Sequence, residues 1–155
     1  MSKSLKRVRA ALENAGVEPD IRETHLARTA QDAANALGCS VDQIAKSIIF
    51  LGATSGQAIL FLTAGGNRVD PLKAERAAGE PLSKADAALI RTQTGFAIGG
   101  VSPIGHLNPI RAFIDHKLFD FDIVWAAAGT PHHVFGIKPQ VLEEISSAQA
   151  YDFIS

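Results

Sequence analysis

Two apolar segments near the middle of the chain constrain its fold more than any other feature. SIIFL (47–51) and AILFLTA (58–64) are rich in strand-forming residues, and the turn sequence GATSGQ separates them. Two such segments joined by a short turn that contains glycine predict a β-hairpin. The protein is therefore expected to contain a sheet, with the remaining segments placed around this hairpin.

Helical and strand patterns lie on both sides of the hairpin. Start and stop signals, such as Thr29 with Asp32 before a helix and Gly38 after it, mark the expected helix ends. Helices are predicted at 4–15, 30–37, 41–45, 71–78, 84–94 and 139–147. Further strands are predicted at 96–98, 110–115, 122–128 and 134–137. Because several late strands follow one another without crossover helices, the order favours a mixed α/β or α+β domain with a curved, largely antiparallel sheet.

Length and composition indicate one ordinary domain that spans 1–155. The 155 residues are 46% hydrophobic and 20% charged, and no apolar run is long enough to cross a membrane. The N-terminus lacks the apolar segment of a secretory signal, and a single cysteine, Cys39, suits a reducing compartment, so a cytoplasmic protein is expected. The net charge of −1 argues against a protein that grips duplex DNA along many phosphates. Any contact with nucleic acid should be small and local.

The stretch IGGVSPIG (98–105) must form a stiff loop. Gly99 and Gly100 let the backbone turn sharply or another group approach closely, and Pro103 fixes its own φ. One interpretation is a tight connection between two strands. The other is a row of free backbone N–H groups suited to an anion or a developing oxyanion. The pattern alone leaves both open.

Lys46 stands where a helical pattern gives way to an apolar strand. Alternation along a strand would place it on one face with Ile48 and Phe50. A lysine in this position can extend its ammonium to water as a surface residue. Alternatively, it is a partly enclosed cation at the mouth of a cavity, where it would hold a phosphate or a polarised carbonyl.

The histidines do not have the spacing of a metal site. No HExxH sequence and no cysteine cluster occur, so neither a metal nor another cofactor is expected. His132 and His133 follow a predicted turn, and since adjacent strand residues point to opposite faces, at most one of them would face a given pocket. A place in a pocket and a place in a surface turn both stay open for this pair.

Four segments together resemble a known family. SVDQIAKSIIF (40–50), TGFAIGGVSPIGH (94–106), AFID (112–115) and VWAAAG (124–129) have the order and spacing of the YbaK/ProX family of aminoacyl-tRNA editing proteins. These proteins are relatives of the insertion domain of bacterial prolyl-tRNA synthetases. The resemblance covers the chain from about Thr29 to the last helix, and its two signatures are the lysine segment and the Gly-x-x-x-Pro loop.

The resemblance implies a barrel-like mixed sheet flanked by helices and a hydrolytic function. Members of the family cleave the ester between a wrong amino acid and the terminal adenosine of a tRNA, usually one for proline, after its release from the synthetase. The implied partners are the acceptor end of the tRNA and, as a second candidate, prolyl-tRNA synthetase; the family implies no membrane partner and no DNA. Lys46 would hold the terminal nucleotide or orient the carbonyl, with Gly99 and Gly100 supplying oxyanion donors. The expected substrate-binding residues are Val101, Ser102, Pro103, Gly129 and His132.

One segment departs from the cysteine-editing branch of the family. That branch reads like SGGKRGLD after its late strand, whereas this chain has AAGTPHHV at 127–134. Gly129 is kept, but Ala127 and Val134 stand where serine and aspartate are expected. This difference favours another small amino acid, such as alanine, serine or threonine, over cysteine.

Two other classes of function stay open on the sequence. A non-catalytic module would bind an aminoacyl-adenosine or a synthetase with the same two signatures. A metal-dependent hydrolase is disfavoured by the spacing of the potential ligands.

Overall fold

Five α-helices, two short 3₁₀ helices and eight strands occur in the computed structural model, which describes residues 2–25 and 27–155. The α-helices are α1 (Lys3–Asn14), α2 (Ala30–Leu37), α3 (Pro71–Ala78), α4 (Ala87–Thr94) and α5 (Pro139–Ser146). The strands are β1 (Ile21–Glu23), β2 (Ile44–Gly52), β3 (Ala58–Ala64), β4 (Leu82–Lys84), β5 (Arg111–Ile114), β6 (Val124–Ala127), β7 (His133–Ile137) and β8 (Gln149–Ala150). The 3₁₀ helices are Val41–Gln43 and His116–Asp120.

The helix ends lie where the local signals predict them. The side chain of Thr29 accepts a hydrogen bond from the backbone N–H of Asp32 at the start of α2, and Asp70 caps α3 in the same way. Gly38 and Gly79 adopt left-handed conformations directly after these two helices. Such caps satisfy backbone groups that a helix end leaves unpaired, so a few residues suffice to fix each boundary.

The predicted hairpin forms the centre of the sheet. β2 pairs antiparallel with β3 from Ala45↔Ala64 to Leu51↔Ala58. The strand order is β1-β7-β6-β2-β3-β5-β8, with β4 also paired to β2. The α+β class is confirmed, but the sheet is open rather than closed into a barrel, and three of the pairings found in the described residues are parallel.

Apolar side chains cover both faces of this sheet. Along β3, Leu60 and Leu62 belong to a core with α1, α4 and α5, whereas Ile59 and Phe61 belong to a second core with α3. All four side chains are fully buried, as expected for a central strand between two layers. None of the described helices has the length and apolar character needed to cross a bilayer.

The sheet has a gap beside β2. Since β3 occupies one edge of β2 along its length, β6 and β4 must share the other edge. β6 pairs there with Ile44 and Ala45, and β4 pairs with Phe50, Leu51 and Gly52. Residues 46–49 have no partner strand on that edge within residues 2–25 and 27–155. A short stretch of strand edge is thus left open between two walls.

Three local predictions are wrong. Residues 96–98 form a loop rather than a strand, and the helix predicted at 41–45 is only a 3₁₀ turn before β2 begins at Ile44. The helix predicted from residue 84 begins at Ala87 with Asp86 as its cap, because residues 82–84 pair with β2 instead. In the last two cases a pairing with distant residues decides the structure, and a local signal does not contain it.

Candidate functional site

The gap beside β2 opens into a cavity of about 530 Å³. Residues 44–49 of β2 form one side, the start of α2 and the end of β4 form two others, and the loop at 98–101 and the turn between β6 and β7 complete the wall. The two signatures seen in the sequence therefore lie on one cavity. Ala127 and Val134 also line it.

Lys46 is the third residue of β2 and lies half-buried in the cavity wall. Its ammonium donates a hydrogen bond to the carbonyl of Gly65 over 3.2 Å. Burial lowers the pKa of this ammonium, the charge of Arg68 lowers it further, and the carboxylates of Asp42 and Asp115 oppose both effects. The structure thus holds a cation beside the open strand edge with a single backbone carbonyl as its hydrogen-bond partner in the described chain.

The glycine loop lies against the same strand edge. The hydroxyl of Ser47 donates to the carbonyl of Val101 over 2.8 Å, which ties the loop to β2 next to Lys46. Gly99 has φ +90 and borders the cavity, a backbone conformation that glycine adopts without strain and that other residues rarely adopt. The N–H of Gly100 is used within the loop, since it donates to the carbonyl of Ala97. The N–H groups of Gly99 and Val101 have no acceptor within the described residues and are the donors that a ligand can use.

Gly100 serves a contact between two loops. A Cβ at this position would lie 2.8 Å from Cα and C of Thr130, in the turn between β6 and β7. Gly129 likewise packs away from the cavity, because a Cβ there would lie 2.7 Å from the carbonyl oxygen of Ser4 in α1. Both glycines allow backbones to approach closely, and neither is among the residues that line the cavity.

Ser102 and Pro103 hold the loop from behind. Both are buried, and the Ser102 carbonyl accepts a hydrogen bond of 2.6 Å from Nε2 of His106. Pro103 lines a different pocket, between the loop, α1 and α5. Burial lowers the pKa of His106, and the charge of Arg7 adds to this effect. These residues stiffen the loop without reaching the cavity.

Of the two adjacent histidines, His133 lines the cavity. It is the first residue of β7, and its Nδ1 lies 2.7 Å from the hydroxyl oxygen of Thr130. That hydroxyl also accepts the backbone N–H of His132. His132 itself is exposed, and its Nδ1 donates to the carbonyl of His25. The resemblance implies a substrate-binding role for His132, whereas the structure places His133 on the cavity wall, since alternation along a strand allows only one of the two to face it.

The charged residues of the described cavity wall are Arg28, Lys46 and Lys84, all of them basic. The sequence analysis missed Arg28 and Lys84. Arg28 directly precedes the cap of α2, whereas Lys84 reaches the cavity only because β4 pairs with β2. Apolar and small side chains such as Ile48, Ala27 and Trp125 form much of the remaining wall. The cavity thus combines an apolar interior, two free amide donors and three cations.

Comparison with known proteins assigns this arrangement to a family. The sequence model of the aminoacyl-tRNA editing domain matches residues 24–145. An uncharacterised protein of Bacillus subtilis (strain 168), YwhH, is 31% identical over 149 residues, which are 96% of this chain and 94% of that protein. A solved structure described as "a putative trans-editing enzyme for prolyl tRNA synthetase" is 43% identical, covers 100% of this chain and 99% of its own, and superposes with a TM-score of 0.92. The hypothetical protein APE2540 is 25% identical, with a TM-score of 0.87 over 96% of this chain and 99% of its own. The protein belongs to the family of aminoacyl-tRNA editing domains.

Proposed function

We propose that this protein is a trans-acting deacylase that hydrolyses the ester between a small noncognate amino acid and the 3′-terminal adenosine of a tRNA, with a proline tRNA as the expected carrier. The observation that carries this proposal is the single cavity that gathers Lys46 and the free amides of Gly99 and Val101. Family membership and the likeness to the solved structure support it. The substrate would place the activity in the cytoplasm, where charged tRNA is used.

The reaction requires stabilisation of a transient oxyanion. Water adds to the ester carbonyl, the bond from the carbonyl carbon to the ribose oxygen breaks, and the proton from water ends on the ribose hydroxyl. Negative charge develops on the carbonyl oxygen, which backbone N–H donors and a nearby cation stabilise strongly when they are fixed in advance. We assign the donor role to Gly99 and Val101 and the role of the cation to Lys46. His133, oriented by Thr130, is placed to position the attacking water.

The wall of the cavity favours a small amino acid side chain. Ala27, Ala127 and Val134 present methyl-sized groups, and none of these side chains offers a hydrogen-bonding group. The serine and aspartate of the cysteine-editing branch are absent at Ala127 and Val134, so a cysteine side chain lacks those two partners here. We expect hydrolysis of alanyl, seryl or threonyl esters and sparing of correctly charged prolyl-tRNA.

The decisive test is a deacylation assay over a panel of mischarged tRNAs with the wild-type protein and Lys46→Ala. Losing one charge-assisted contact of the transition state should lower the rate by about 30- to 1000-fold, equivalent to about 2–4 kcal/mol. Lys138→Ala is the matched control, because Lys138 is exposed and makes no side-chain hydrogen bond or ion pair within the described residues. Thermal unfolding of the same preparations should show little change for either variant.

Two results would overturn the proposal. A Lys46→Ala protein that folds normally and hydrolyses at the wild-type rate would remove Lys46 from the mechanism. A wild-type protein that binds a non-cleavable aminoacyl-adenosine analogue but hydrolyses none of the mischarged tRNAs would identify a binding module instead.

A further inference from the structure

The charged residues of the described cavity wall are all basic, although the chain as a whole is nearly neutral. Acidic and basic residues nearly balance over the whole sequence, with a net charge of −1, yet Arg28, Lys46 and Lys84 are the charged residues of the described wall. Positive charge concentrated in one cleft raises the local concentration of anionic ligands. The positive charge of the cavity wall therefore indicates an anionic ligand.

The side chains of Arg28 and Lys84 make no polar contact that would stabilise the described part of the fold. Both are exposed, and neither side chain makes a hydrogen bond or an ion pair within residues 2–25 and 27–155. The backbone N–H of Arg28 lies 3.4 Å from a carboxylate oxygen of Asp32, but this contact leaves the guanidinium free. Both side chains are thus available to a ligand.

The two free cations lie at opposite ends of the gap. α2, which follows Arg28, packs through Ala33 and Ala34 against Ile44 at the β6 end. Lys84 pairs with Phe50 at the β4 end. Ile44 and Phe50 are six positions apart on β2, a distance of about 20 Å. Cations that leave the backbone near the two ends of this stretch suit a chain of phosphates better than one phosphate group.

We propose that Arg28 and Lys84 bind backbone phosphates of a single-stranded RNA 3′ end and thereby guide its last nucleotide toward Lys46. This inference rests on the proposed deacylase function and adds the surface that receives the unpaired end of the tRNA. It also accounts for a near-neutral protein that acts on a polyanion, since only a few phosphates need to be contacted.

The test compares two substrates that differ in their phosphates. Proline tRNA mischarged with alanine carries the whole 3′ strand, whereas 3′-O-alanyl-adenosine carries the same ester and no phosphate. For Arg28→Ala and Lys84→Ala, the ratio of kcat/KM on the tRNA to kcat/KM on the adenosine ester should fall roughly three- to tenfold per variant. The Lys138→Ala control should leave this ratio unchanged.

Salt dependence gives a second measurement that does not require catalysis. A short RNA ending in CCA, labelled for fluorescence anisotropy, is titrated with each protein between about 50 and 200 mM salt, over which the Debye length falls about twofold. Each lost phosphate contact should reduce the slope of log K against log salt by about 0.7, and the double variant by about 1.4.

Several outcomes would overturn the inference. Equal losses on both substrates, or an unchanged salt slope in the double variant, would exclude phosphate contacts by these side chains. Competition by adenosine monophosphate as strong as that by the RNA would show that one phosphate suffices. If the wild-type protein hydrolyses neither substrate, the deacylase proposal fails, while the slope in the anisotropy titration still decides whether Arg28 and Lys84 bind RNA.

Discussion

Replacing Gly100 with alanine tests whether the site depends on the contact between its two loops. The new Cβ would lie 2.8 Å from Cα and C of Thr130 and 3.0 Å from its N, all of them backbone atoms that cannot rotate away. The shortest of these distances is about 0.6 Å below an ordinary contact. The matched change is Gly99→Ala, one residue earlier. There the nearest atoms are side-chain carbons of Pro131 at 3.8 and 3.9 Å, but the φ of +90 disfavours alanine.

Both variants should lose stability, for different reasons. Overpacking at Gly100 should cost about 1–3 kcal/mol, and the strained backbone at Gly99 about 1–2 kcal/mol. In a domain of this size each kcal/mol lowers Tm by about 2–4 °C. Stability alone therefore does not distinguish the two changes.

Activity should distinguish them. Gly100→Ala pushes Thr130 away from the loop, and Thr130 orients His133, so a displacement of about 1 Å should lower kcat about 100-fold. Gly99→Ala keeps the N–H donor and the contact with Thr130, and most of the activity should remain. Deacylation and thermal unfolding are measured on the same preparations. A larger loss of activity in Gly99→Ala than in Gly100→Ala would refute this reasoning, because the space beside Gly99 would then matter more than the loop contact.

Two further predictions concern histidines. Burial lowers the pKa of His106 below its ordinary value of about 6.5, so the unfolded chain binds a proton more readily than the folded protein. The contribution of His106 to the free energy of unfolding should therefore be complete above about pH 6.5 and decrease as the pH falls below that value. His106→Gln should show a smaller decrease of Tm between pH 7.5 and 5.5, and an equal decrease in both proteins would contradict the assignment. His133→Ala should lower kcat about 100-fold or more, and Thr130→Val, which removes only the hydroxyl beside Nδ1, should lower it less. A wild-type rate in single-turnover assays of His133→Ala would exclude this side chain from the reaction.

Elements that neighbouring residues determine could be predicted from the sequence, whereas most pairings between distant segments could not. Helix caps such as Thr29 and Asp70 could be predicted because their hydrogen bonds join residues two or three positions apart. The hairpin of β2 and β3 could be predicted because its turn is short. β4 could not, because a three-residue strand acquires its structure from pairing with residues thirty or more positions earlier in the chain.

The same division between local signals and long-range pairing applies to the candidate site. The sequence signatures led to Lys46 and to the loop at Gly99, which share the cavity. They also pointed to Pro103, which the structure places on another pocket, because a motif does not show which of its residues face a ligand and which support the backbone. No local motif marks Arg28 or Lys84 as a residue of the site. Lys84 reaches the cavity through the pairing of β4 with β2, and Arg28 through its position before α2.

The gap in the sheet explains how a cavity can form beside a strand that stays firmly held in the fold. Residues 46–49 give up a partner strand on one edge, so about half of their backbone hydrogen-bonding groups must find water or a ligand. An open edge usually invites another strand, but β4 and β6 flank this one and leave only residues 46–49 without a partner strand on that edge in the described chain. The opposite edge stays paired to β3, whose fully buried side chains belong to one core on each face of the sheet. Lys46 on this strand is half-buried and its ammonium contacts one backbone carbonyl, so pairing with β3 holds the backbone in place and leaves the side chain available for chemistry.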